Sequence, residues 1–86
     1  MVRNHQELDV EVTNVSLVGA MVKVDGMTGF IDQRKYPDWH SEVNPPKVGD
    51  RIHVVVLDDS REPPRLSALD TDIRIARALR EQPPLH

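Results

Sequence analysis

Cysteine is absent from this chain. That excludes a disulfide framework, a zinc ribbon and a cysteine nucleophile. Aromatic residues are scarce: one Trp, one Tyr and one Phe among 86 residues. No stretch approaches the roughly 18 apolar residues that a membrane helix needs. The segment Met1 to Val12 is polar and lacks the apolar run of a signal peptide. An excess of positive charge is also missing. Against 14 acidic residues stand 11 basic ones, a net charge of −3, unlike basic nucleic-acid wrappers, whose pI is usually above about 9. What is present is 38% hydrophobic residues, arriving in regular strand-like clusters, which a disordered tail does not do. These features predict a soluble, cytoplasmic, monomeric protein with no membrane contact, folding as one domain over residues 1–86.

The clusters have period two. Leu8, Val10 and Val12 alternate with Asp9, Glu11 and Thr13, the pattern of a strand that buries one face and wets the other. Gly19 follows, where a strand bends or bulges. Ala20, Val22 and Val24 form a second alternating set, with Met21 and Lys23 on the other face. Asp25-Gly26 is a strong turn signal, and Gly29-Phe30-Ile31 reads as a third strand. Arg34 to Pro46, with three prolines, Tyr36, Trp39 and His40, reads as an irregular ordered loop with room for one helical turn. Arg51 to Leu57 is the clearest strand, with Ile52, Val54 and Val56 facing one way and Arg51, His53 and Val55 the other. A charged turn then leads to a fifth strand, Arg65 to Leu69. Asp70, Thr71 or Asp72 offers a helix N-cap. The helix is expected over about 72–81, with Ile73, Ala76 and Leu79 apolar, stopped by Pro83 and Pro84 before a frayed tail at 82–86. Five short strands fit a small closed barrel, which removes exposed edges, over about 8–69.

The ordered set of motifs resembles the ribosomal-protein-S-one type RNA-binding domain. The residues that carry the resemblance are Gly19-Ala20, the turn glycine Gly26, Gly29-Phe30-Ile31, Val48-Gly49-Asp50 before the valine strand, and Arg65-Leu66-Ser67-Ala68. The resemblance implies a mainly β fold: a five-stranded antiparallel OB-fold barrel with a C-terminal α-helix. It implies single-stranded RNA as ligand, held on strands two and three by exposed aromatics against bases and basic groups against phosphates. The chain departs from the family at several of those places. Val18 and Met21 stand where the family carries phenylalanine, Asp32 where it carries histidine, and Ser60 where it carries aspartate, with Asp58 and Asp59 beside it. Arg65 is kept.

Each candidate residue has a competing reading. Met21 and Lys23 are a base platform and a phosphate contact, or an ordinary half-exposed strand. Phe30 is a ring beside Met21 or the one large side chain the barrel core needs, and the core reading is preferred. Tyr36, Trp39 and His40, with Arg34 and Lys35, have the composition of a single-strand binding rim or of a protein-binding hot spot. Equally, Trp39 plugs the open end of the barrel. Arg74, Arg77 and Arg80 form a loose basic stripe, or follow the helix dipole. His53 reads as an exposed strand residue. The four histidines show no metal-ligand spacing, the serines no nucleophile elbow, and there is no glycine-rich phosphate loop. No catalytic activity, metal or cofactor is expected.

The expected function is a stand-alone module binding single-stranded RNA weakly and largely without sequence specificity. Lys23, Arg34, Lys35 and Arg65 would meet phosphates, and Met21, Phe30, Tyr36 or Trp39 would meet bases. The alternative is a protein-interaction module on the same barrel, working through the Tyr36–His40 loop. A third reading is an oligomer joined through Val55 and Leu57 on the outer face of strand four.

Overall fold

The computed structural model describes residues 2–82. Five strands form the barrel: β1 Glu7–Val15, β2 Gly19–Val24, β3 Met27–Asp32, β4 Arg51–Asp58 and β5 Arg65–Ser67. The helix α1 spans Asp70–Glu81. Pro83 and Pro84, expected to stop it, lie outside the described residues, as does all of the tail beyond Gln82. Asp25 and Gly26 both take positive φ, 48° and 80°, as a two-residue hairpin turn between twisted strands requires. The hairpin register follows, with Met21 opposite Phe30 and Lys23 opposite Thr28.

The sheet closes in the order β1-β2-β3-β5-β4. This is the expected five-stranded barrel with a C-terminal helix, except that one pair is not antiparallel: β3 and β5 run parallel, with Phe30 beside Arg65 and Ile31 beside Leu66. Parity is the reason. Around a closed ring directions can alternate only if the strand number is even, so five strands need one parallel pair. A bulge between Val12 and Asn14 breaks the β1–β2 register, and strand bending there helps the sheet curl shut.

The core is built of small β-branched residues. Val10, Val12, Val22, Val54, Val56 and Ile31 are buried, joined by Ala20 and Leu66. The preferred core reading of Phe30 is overturned. Gly29 and Ile31 face inward, so strand alternation sends Phe30 outward. The large ring in the core is Tyr36, 8% exposed, delivered by the long loop. Trp39 packs against the same core and meets Tyr36 edge to face at 5.8 Å. A 3-10 turn, Gln33–Lys35, begins that loop, with the Asp32 side chain accepting from the Arg34 amide.

Val55 does not face solvent. It is fully buried under α1 with Ile73 and Ala76, which removes it from the oligomer surface considered above. Leu57 is half-exposed. The helix starts two residues earlier than expected, after Leu69, with no side-chain cap. Asp72 is occupied instead: it accepts from the buried Ser67 hydroxyl at 2.7 Å and from Lys35 Nζ at 3.1 Å. Ser67 Oγ in turn accepts from the Leu69 amide. These bonds account for a hydroxyl with no exposure. Leu79, expected on the apolar face of α1, is half-exposed, and Ile75 is exposed.

Candidate nucleic-acid interface

Strand alternation and register together place Met21, Phe30 and Arg65 side by side on the outside of the barrel. Met21 and Phe30 are opposite one another across β2–β3, and Phe30 and Arg65 are paired across β3–β5. Gly19 makes room for the ring. A Cβ at that position would lie 2.4 Å from Phe30 Cζ, so only glycine lets the ring settle over the strand. The Arg65 guanidinium carbon lies over the ring, 4.6 Å from its centroid, within cation–π range.

This pair opens onto a groove of about 440 Å³. Arg34, Lys35, Arg61 and Arg65 line it with Phe30 and one carboxylate, Asp32, while Val18, Leu57 and Leu66 complete the walls. Four cations and one anion thus share a concavity on a chain whose net charge is −3. They are not equally free. Arg34 donates to Asp32 through Nε at 3.1 Å and through its amide at 2.9 Å. Those two bonds, the side-chain one first, hold the Asp32 carboxyl below its ordinary range. Lys35 is committed to Asp72. The Asp72 carboxyl is likewise lowered, first by the Ser67 hydroxyl. Asp58 turns back to Ser60, whose side chain and amide lower it, while Arg61 and Arg65 act on it only through space. Among the described residues, Arg61 and Arg65 form no side-chain ion pair, and Arg65 Nε is buried with no hydrogen-bond partner.

The residues expected from sequence therefore separate into groups. Met21, Phe30, Arg34, Lys35 and Arg65 lie on or beside the groove. Lys23 is exposed further along β2, opposite Thr28 and Glu11. Tyr36 is buried in the core, Trp39 packs half-buried against it while lining an open concavity with Arg34 and His40, and burial raises the Tyr36 phenol above its usual range. Arg61 was not among the expected residues. In sequence it sits in a turn between Ser60 and Glu62, where no periodicity assigns a direction; only closure of the barrel brings it to the groove.

A second charged cluster lies against α1. Glu7 accepts from Arg77 at 2.9 and 2.8 Å, from Arg80, and bonds His53 Nε2 at 2.6 Å. His53 Nδ1 reaches Asp9 at 2.7 Å. These contacts hold Glu7 well below the usual carboxylate range, Arg77 contributing most. They raise His53, Glu7 contributing most. Arg74 pairs with Asp70 at 2.7 Å. The basic stripe of the helix is thus used within the fold, and His53 is a bridge between two carboxylates of β1.

The comparisons with known proteins fit this geometry. An uncharacterized protein of Methanocaldococcus jannaschii superposes with a TM-score of 0.68 at 19% identity, covering 81% of this chain and 96% of that one. A chain of the a/eIF2alpha–aDim2p–rRNA complex of Pyrococcus horikoshii superposes with a TM-score of 0.67 at 17% identity, covering 92% of this chain and 52% of that one. GSP13 of Bacillus subtilis gives 0.59 at 22% identity, over 98% of this chain and 62% of its own length. At these identities the likeness is one of fold. No curated protein sequence matches. The sequence itself matches the S1 RNA binding domain over residues 2–67, a span that contains the whole barrel and every groove residue named above. The chain belongs to the S1 RNA binding domain family.

Proposed function

We infer that this chain is a binding module for single-stranded RNA, that it holds the strand in the groove beside β3 and β5, and that it does so weakly and with little sequence preference. The observation that carries the reading is the gathering of Arg34, Lys35, Arg61 and Arg65 around Phe30 on an otherwise acidic chain. Cations in a groove track a phosphate backbone, and a flat group among them accepts any base, because every base has a π-face. Since Asp32 and Asp72 already neutralise Arg34 and Lys35, about two phosphates are met by free charge, and the salt dependence is shallow. For two contacts on a single strand the slope of log K against log salt is about −1.4. Met21 extends the apolar floor beyond Phe30, and Lys23 adds a contact only to a longer strand.

The test is an anisotropy titration of a labelled mixed-sequence RNA dodecamer across a salt series, paired with amide-shift mapping. Saturable binding with a slope near that value, and shifts at Phe30, Arg61 and Arg65, are expected. Absence of binding at low salt would end the reading. Shifts confined to Pro37–Ser41 would move the interface to the loop.

A further inference from the structure

We propose that the plane against which a base stacks in this groove is the Arg65 guanidinium, backed by Phe30, so that the two residues act as one composite platform. The inference rests on the RNA-binding reading above and assigns the stacking group within that site.

The backbone dictates the pairing. Phe30 and Arg65 are register partners in the parallel β3–β5 pair, and both point outward because Ile31 and Leu66 beside them are buried. The ring lies over β2 in the space that a side chain on Gly19 would need. The guanidinium lies over the ring at 4.6 Å. No carboxylate among the described residues forms an ion pair with it: the short bonds of Asp32 and Asp58 go to Arg34 and Ser60. Its Nε is buried without a hydrogen-bond partner, and its contact is with the ring.

With its carbon over the ring and the residue lining the groove, the guanidinium can turn one face to Phe30 and the other to a base. Being planar and delocalised, that face stacks on a base as an aromatic does. A lysine at the same place keeps the charge but has no plane.

The experiment is a fluorescence titration of the full chain with a single-stranded RNA octamer carrying one 2-aminopurine, at low salt, for the wild type, Arg65→Lys and Phe30→Leu. The wild type should quench the probe saturably. Arg65→Lys should bind about tenfold more weakly, lose most of the quenching and keep the wild-type salt slope. Phe30→Leu should lose quenching too, since the guanidinium loses its backing. Thermal melts of both variants establish that they are folded. If Arg65→Lys binds and quenches as the wild type does, Arg65 is a point charge on a phosphate and the composite platform is wrong, while the RNA reading stands. If the wild type fails to bind the octamer at all, both fall together.

Discussion

Two faces of this barrel are rich in arginine, and they use it in opposite ways. On the α1 side, Arg77 and Arg80 converge on Glu7, and Arg74 pairs with Asp70. On the groove side, Arg61 and Arg65 line a concavity with no ion pair of their own among the described residues. The difference is where the counter-charge sits. Glu7 has a side chain only 14% exposed, and a carboxylate so placed needs partners from the fold itself. Asp32, Asp58 and Asp72 could have silenced the groove in the same way. They do so only in part: Asp32 takes Arg34 and Asp72 takes Lys35, while Asp58 turns to Ser60, so Arg61 and Arg65 keep no ion pair among the described residues. A cation counts toward ligand binding only when the fold has not already supplied its anion.

The sharpest way to break this contrast is to remove the free charges. Arg61→Ala with Arg65→Ala should lower RNA affinity about a hundredfold, from lost phosphate contacts and lost stacking. The unfolding midpoint should hardly move. An affinity loss under threefold would show that the free arginines are not the binding charges.

The converse variant attacks the helix side. Ile73→Ala empties the seam between α1 and Val55 and should cost about 2 kcal/mol of stability, measured by urea unfolding. RNA affinity should stay within about twofold, since α1 supplies no ligand contact. A parallel fall in affinity would mean that the helix carries part of the interface.

Glu7→Gln converts one face toward the other. Arg77, Arg80 and His53 lose their shared carboxylate, so stability should fall while the released cations add a second basic surface. At low salt the affinity should rise about threefold and the salt slope should steepen by up to about 1.4 for two added contacts. Unchanged affinity would show that a basic patch outside the groove is not used.

The smallest expected effect is a pH dependence. Glu7 and Asp9 raise the His53 pKa above its ordinary value of about 6.5. A raised histidine contributes stability fully below the unfolded pKa and loses it as pH rises through the folded one. The unfolding midpoint should therefore decline modestly from about pH 6 into the mildly alkaline range, and His53→Gln should flatten that decline. The lowered carboxyls Glu7, Asp32, Asp58 and Asp72 act in the opposite direction. Their stabilisation is present above the ordinary carboxylate range and is lost as pH falls below about 4. A profile without a neutral-to-alkaline decline would show that the His53 bridge does not contribute.

Much of the barrel could be read in advance, because strand alternation is a local signal. Val10/Val12, Val22, Val54/Val56 and the Asp25-Gly26 turn sit where the period-two pattern puts them. The groove was only partly legible. Phe30 and Arg65 were candidates one by one, but their contact is a property of β3 lying beside β5, strands separated by the whole of β4. Arg61 gave no local sign at all. Tyr36 looked like part of a binding rim, and is buried, because composition reports residue types and not the direction in which a proline-rich loop turns them. Val55 looked exposed because an alternating strand carries no information about a helix that will later lie on its outer face.

By itself, then, the chain's order of residues determined which segments are strands and where the hairpin turns, because alternation and turn chemistry are local; that β3 lies parallel to β5 came only with closure of the ring. Tertiary structure alone decided which arginines are free. Arg34 and Arg74 pair with near neighbours, but whether Arg61, Arg65, Arg77 and Arg80 find an anion depends on distances between elements far apart along the chain, such as Glu7 and Arg77. Coulombic attraction falls away over a few ångströms of water, so the same residue types bind a ligand on one face and lock a helix on the other.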